Sequence, residues 1–119
     1  MKRDMDLVRA ILLAMEDHSE GFAPDVIDVP GFSKDQIRYH AYLLGQANLM
    51  DVAVTTTMSD QSPQAMPVSL TWAGHEFLAN AREEKNWLQA KRLMKGAGAA
   101  SFHVWQSVLT SLVMKNLGL

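Results

Sequence analysis

The sequence contains no cysteine. Disulfides and thiolate metal sites are therefore excluded, and a cytoplasmic location is the expectation. Long apolar runs are missing too. No stretch approaches the roughly 20 residues of a membrane-spanning helix, so no membrane partner is expected. Met1 to Glu16 places basic residues before apolar ones, as a signal peptide does. Asp4, Asp6 and Arg9 interrupt the run, no small-residue cleavage site follows, and the apolar spacing is helical. A signal peptide is not expected. Charge of one sign is also locally absent: no Lys or Arg occurs between Asp51 and Trp72, and no Asp or Glu occurs from Lys85 onward.

What remains is the composition of one globular domain. Hydrophobic residues make up 48% of the chain, enough for a core, and the formal net charge is −2. That balance is not typical of a strong nucleic-acid binder, but the distribution is uneven. Asp4, Asp6, Glu16, Asp17, Glu20, Asp25, Asp28 and Asp35 crowd the first half, whereas Lys85, Lys91, Arg92, Lys95 and Lys115 are the charged residues of the C-terminal part. Such a basic surface can bind phosphates, or it can meet the acidic half of a second copy.

The stretch Ser33 to Met50 reads as an amphipathic helix followed by a turn. Ser33 is the expected N-cap, with Gln36 completing a capping box and Asp35 suiting the helix dipole. Ile37, Ala41, Leu44 and Asn48 share a stripe flanked by His40 and Leu43. Asn48 can take the left-handed conformation that ends a helix. The opposite face carries Asp35, Arg38, Tyr39, Tyr42 and Gln46. In a helix-turn-helix protein this face enters the major groove; in a plain surface helix it is solvated.

Ahead of it, Asp4 to His18 is a helix with Leu7, Ile11, Leu12 and Met15 as its buried stripe. Val26, Ile27 and Val29, bracketed by Pro24 and Pro30, favour a strand. The second helix of the usual helix-turn-helix is therefore missing or reduced. Asp51 to Met58, a polar loop, and Ala65 to Trp72 form a hairpin. Thr71 is the expected cap of the next helix, with Trp72, Phe77 and Leu78 in the core and Gly74 at a close backbone approach. Residues 85–95 either continue that helix with a bend or form a separate one. Lys95 to Ala100 reads as a hinge. Ser101 to Asn116 is a last helix with an apolar stripe of Phe102, Trp105, Val108, Leu109, Leu112, Val113 and Leu117. That stripe packs on its own domain or pairs with a second copy.

The motifs Met1-Lys2-Arg3-Asp4-Met5-Asp6-Leu7, Tyr39-His40 with Leu43-Leu44, Leu70-Thr71-Trp72-Ala73-Gly74-His75-Glu76-Phe77-Leu78 and Lys115-Asn116-Leu117-Gly118-Leu119 follow one another in order. In these residues the chain resembles the bacterial and phage proteins grouped as domain of unknown function 2513. The resemblance implies a winged-helix-like fold and assigns no functional residues.

No catalytic constellation emerges, and an enzyme is not expected. His75-Glu76 would need a second histidine at position 79 to bind zinc, where Ala79 stands. His18, His40, His75 and His103 share no ligand spacing, so neither a metal nor another cofactor is expected. His40, beside the apolar stripe, is expected to be hydrogen-bonded and half-buried. Gly96-Ala97-Gly98 lacks the strand and third glycine of a phosphate-binding fingerprint.

The expected fold class is α+β, a winged helix-turn-helix variant over residues 1–84 with a C-terminal helical extension over 85–119. The expected function is a small DNA-binding regulator of phage or prophage type, acting as a homodimer. Arg38, Tyr39, Tyr42 and Gln46 would read double-stranded DNA, Lys34, Lys2 and Arg3 would meet phosphates, and Phe102, Trp105, Val108, Leu109, Leu112 and Val113 would form the dimer interface. The alternative is a winged-helix module that binds a protein partner and no DNA.

Overall fold

The computed structural model describes residues 1–95 and 100–119. The elements run α1 (Met5–Asp17), α2 (Lys34–Gln46), β1 (Met50–Val54), β2 (Ala65–Leu70), α3 (Trp72–Ala81), α4 (Glu84–Met94) and α5 (Phe102–Asn116). This is an α+β, winged-helix-like arrangement. Among the described residues no helix is long and apolar enough to cross a membrane. The chain divides into two compact units, Met1–Glu76 and Phe77–Leu119. The division falls within α3, ahead of the boundary at residue 84 expected from the sequence.

In the first unit, local chemistry sets each helix start. The Asp4 carboxylate accepts from the Asp6 and Leu7 amides at 2.9 and 3.3 Å and caps α1. Ser33 and Gln36 form the full capping box of α2. Asn48, at φ +58°, turns the chain out of α2. The α1 stripe is buried as its spacing predicts, as are Ile37, Ala41 and Leu44 of α2.

β1 and β2 form an antiparallel hairpin with a bulge at Asp51/Val52. A Cβ on Gly45 would collide with the Val52 side chain, so the glycine lets β1 lie against α2. Gly74 does the same for α3, because a Cβ there would strike the Leu49 carbonyl oxygen. Thr71 secures that junction. Its hydroxyl donates to the Asn48 carbonyl at 2.6 Å and accepts from the Gly74 amide at 3.1 Å.

Two expectations are corrected here. Val26, Ile27 and Val29 form no strand. The preceding residues touch β2 only at a Phe22–Ser69 bridge and through the Ala23 amide, which donates to the Val68 carbonyl at 2.9 Å. The contact ends there, and residues 24–29 lie in no strand. Trp72 does not join the core: it is 81% exposed. Gly74, Phe77, Leu78 and Ala81 share the buried side of α3, and the helical period turns Trp72 to the other side. No helix occupies residues 18–33, so the second helix of the usual helix-turn-helix is missing, as expected from the short stretch between Pro24 and Pro30.

In the second unit α4 is a separate helix, broken from α3 at Arg82 and Glu83. It packs on α5. Phe77 lies edge-on to Trp87 at 6.4 Å and tilted against Phe102 at 5.0 Å, and Trp87 stacks on Trp105 at 5.1 Å. Buried Asn86 accepts a hydrogen bond from Asn116. The predicted hinge at 95–100 lies largely outside the described residues.

Candidate nucleic-acid interface

The residues expected to face DNA lie on the solvent side of α2. Its buried side is held by Ile37, His40, Ala41 and Leu44. A period of 3.6 residues then turns Arg38, Tyr42 and Gln46 outward together. Lys34, Arg38 and Gln46 are exposed, and Tyr39 and Tyr42 are half-buried. The Gln46 amide donates to the Tyr42 hydroxyl at 3.2 Å, so these two side chains form a fixed surface pair.

His40 is more buried than its position beside the stripe suggests, at 1% exposure. Its Nε2 accepts from the Asp4 amide at 2.8 Å, and its Nδ1 donates to the Gln36 carbonyl at 2.8 Å. An amide can only donate and a carbonyl can only accept, so the two bonds fix the tautomer. They tie the start of α1 to α2. Lys2 and Arg3, both exposed, immediately precede that tether.

The hairpin is tied to the start of α2 through a residue that sequence reasoning missed. Gln64 is 7% exposed, and its side-chain amide donates to the Asp35 carboxylate at 3.3 Å. Its backbone amide donates to Thr56 Oγ1 at 2.8 Å, and its carbonyl accepts from the Thr56 hydroxyl at 3.2 Å. Nothing in a polar loop sequence distinguishes Gln64 from Gln61, which is exposed. The hairpin offers no cation, while Val54, Met58 and Met66 on it, and Trp72 just after it, are exposed.

The missing second helix leaves a groove of about 410 Å³ between residues 24–28, α2 and β2. Ile37, Ala41, Ala65 and Pro67 are among its apolar lining. Lys34 and Arg38 line it on α2, and Asp25 and Asp28 line it on the 24–28 segment. Two of the expected phosphate or base contacts therefore also border a concave apolar surface.

The six residues expected at a dimer interface all lie on α5. Leu109 and Leu112 are buried, and Phe102, Trp105, Val108 and Val113 are half-buried. Phe102 and Trp105 are engaged within their own unit by Phe77 and Trp87. The apolar side chains left exposed in α4 and the C-terminal stretch are Leu88, Leu93, Val104, Met114, Leu117 and Leu119. Among the described residues no group of three His, Asp or Glu side chains is placed to hold a metal ion.

No solved structure matches the chain. It is 35% identical over 96 residues to an uncharacterized protein of Haemophilus influenzae, with 80% of each chain covered. Residues 2–100 match the family described as "Hypothetical protein (DUF2513)", a range that ends before α5 and before the 115–119 ending. With the Asp4 cap, the Tyr39-His40 pair and the Leu70–Leu78 junction all falling inside that range, the chain belongs to the DUF2513 family.

Proposed function

We propose that this protein is a small winged-helix DNA-binding protein, a transcriptional regulator of phage or prophage type acting as a homodimer in the cytoplasm. The observation that carries the reading is α2. It is a fully capped helix, buried on one side, with Lys34, Arg38, Tyr42 and Gln46 turned outward on the other. A rigid helix of this kind can present side chains to base edges in the major groove. Arg38 and Gln46 would meet bases. Lys34, Tyr39, Tyr42, Lys2 and Arg3 would meet phosphates. Dimerisation would use the apolar side of α5 that remains exposed.

The test is binding to the DNA upstream of the protein's own gene, with random DNA as control, over a salt series. Arg38→Ala should weaken binding and relax the preference for the cognate site, whereas Lys34→Ala should weaken all sequences alike. Unchanged binding in both variants would remove α2 as the reader.

A second reading has an observation of its own. The Met1–Glu76 unit has five Lys or Arg against eleven Asp or Glu. Its hairpin is cation-free and exposes Val54, Met58 and Met66. An acidic surface with exposed apolar side chains suits a protein partner better than a duplex. No duplex binding at low salt by a folded sample would favour this reading.

A further inference from the structure

We propose that the Phe77–Leu119 unit carries a separate binding site for single-stranded nucleic acid, with the phosphates on α4 and an unstacked base in a hollow beside Trp105. This site is independent of the duplex-reading face on α2.

The cations come first. Lys85, Arg92 and Lys95 are all exposed. On a helix the 85-to-92 spacing is close to two full turns, and residue 95 lies one further turn along, so the three cations share a side over about 15 Å. Glu83 and Glu84 precede Lys85 at the start of α4, and from there to the end of the chain no further Asp or Glu occurs. Cations in a last turn, such as Arg92, suit the negative end of a helix dipole. Lys85 sits in the first turn, where the dipole opposes it. The dipole therefore does not account for the row, whereas a polyanion lying along it does.

The aromatic comes second. At the end of this row is an open hollow of about 440 Å³ lined by Lys91, Arg92, Met94, Lys95 and Trp105. Trp105 is half-buried and stacked at 5.1 Å, within 25° of parallel, on Trp87, which is 2% exposed. The buried ring beneath holds Trp105 in one pose. Cations bordering an indole in a concave surface match the way single strands are held, with stacking for the base and charge for the backbone. A duplex keeps its bases stacked inside and has none to offer. The alternative anionic partner is a lipid surface, which needs an apolar face to insert along the same side as the cations. Leu88 is the exposed apolar residue there, since Leu93 projects from another part of the helix.

The test uses the full chain and a fluorescein-labelled oligothymidine, which has little structure of its own. With three phosphates neutralised, the logarithm of affinity should fall against the logarithm of salt with a slope of about −2, or roughly twentyfold between 50 and 200 mM. The combined variant Lys85→Gln, Arg92→Gln, Lys95→Gln should lose that salt dependence and at least about tenfold in affinity at low salt. Binding should quench tryptophan emission in the parent, and Trp105→Phe, chosen to preserve the packing on Trp87, should abolish the quench. Lys34→Ala and Arg38→Ala should bind oligothymidine like the parent, which separates this site from the α2 reading. The proposal is overturned by unquenched or absent binding in a folded parent. It is equally overturned if the triple variant binds like the parent, if α2 variants lose the oligonucleotide, or if phosphatidylglycerol vesicles bind where oligothymidine does not.

Discussion

The two compact units differ in charge and in what orders them. Met1–Glu76 has five Lys or Arg against eleven Asp or Glu, a formal charge of −6, and Phe77–Leu119 has six against two, or +4. Their sum is the unremarkable −2 of the whole chain. Whole-chain charge thus hides a basic unit behind an acidic one, and ligand preference follows the local field. The first unit is positioned by directional polar links: Asp4 to His40, Gln64 to Asp35, Thr71 to Asn48. The second is filled by Phe77, Trp87, Phe102 and Trp105. Aromatic burial contributes more free energy per residue, while hydrogen bonds choose which arrangement receives it.

Substitutions can break this contrast. The largest effect is expected in the aromatic unit. Trp87→Ala should lose about 3–5 kcal/mol, as large aromatic truncations in a core do. Urea unfolding measures it, and a loss below about 1 kcal/mol would mean that the ring stack does not hold the unit. In the first unit, Gly74→Val should lose about 1–3 kcal/mol or more, because the new side chain meets the Leu49 carbonyl rather than a yielding side chain. A melting temperature equal to the parent's would show that α3 can move away from that carbonyl.

His40→Leu tests the polar links directly. It leaves the Asp4 amide without its acceptor, for a loss of about 1–3 kcal/mol. His40→Gln, which can accept at a similar reach, should recover part of it; equal losses would assign His40 a packing role only. Ser33→Ala should lose about 1 kcal/mol by opening the capping box of α2. The smallest effect belongs to Trp72→Ala, expected within about 0.5 kcal/mol because the side chain is exposed. A large loss there would restore Trp72 to the core, where the sequence alone had put it.

Much of the fold was legible because its signals are local. Ser33 with Gln36 begins a helix and Asn48 ends one through groups within a few residues of themselves. The candidate interface was legible to the same depth: the period of α2 places Arg38 and Gln46 outward whatever surrounds the helix. The groove bordered by Lys34 and Arg38 was not, because it depends on where the 24–28 segment lies after its pairing with β2 stops. Nor was the placement of the α5 stripe, since an apolar face does not say what will cover it.

By itself, then, the sequence determined the helices apart from the break between α3 and α4, the Ser33 cap, the Asn48 turn and the hairpin. Periodicity, capping and turn chemistry act within a few residues and need no knowledge of the fold. Tertiary structure alone decided that residues 22 and 23 would meet β2 at Ser69 and Val68, that His40 would bind the Asp4 amide, and that Gln64 rather than Gln61 would be buried. It also decided that Trp105 would stack on Trp87. Each of these depends on residues distant in sequence arriving at one place, and side-chain identity carries no record of its distant neighbours.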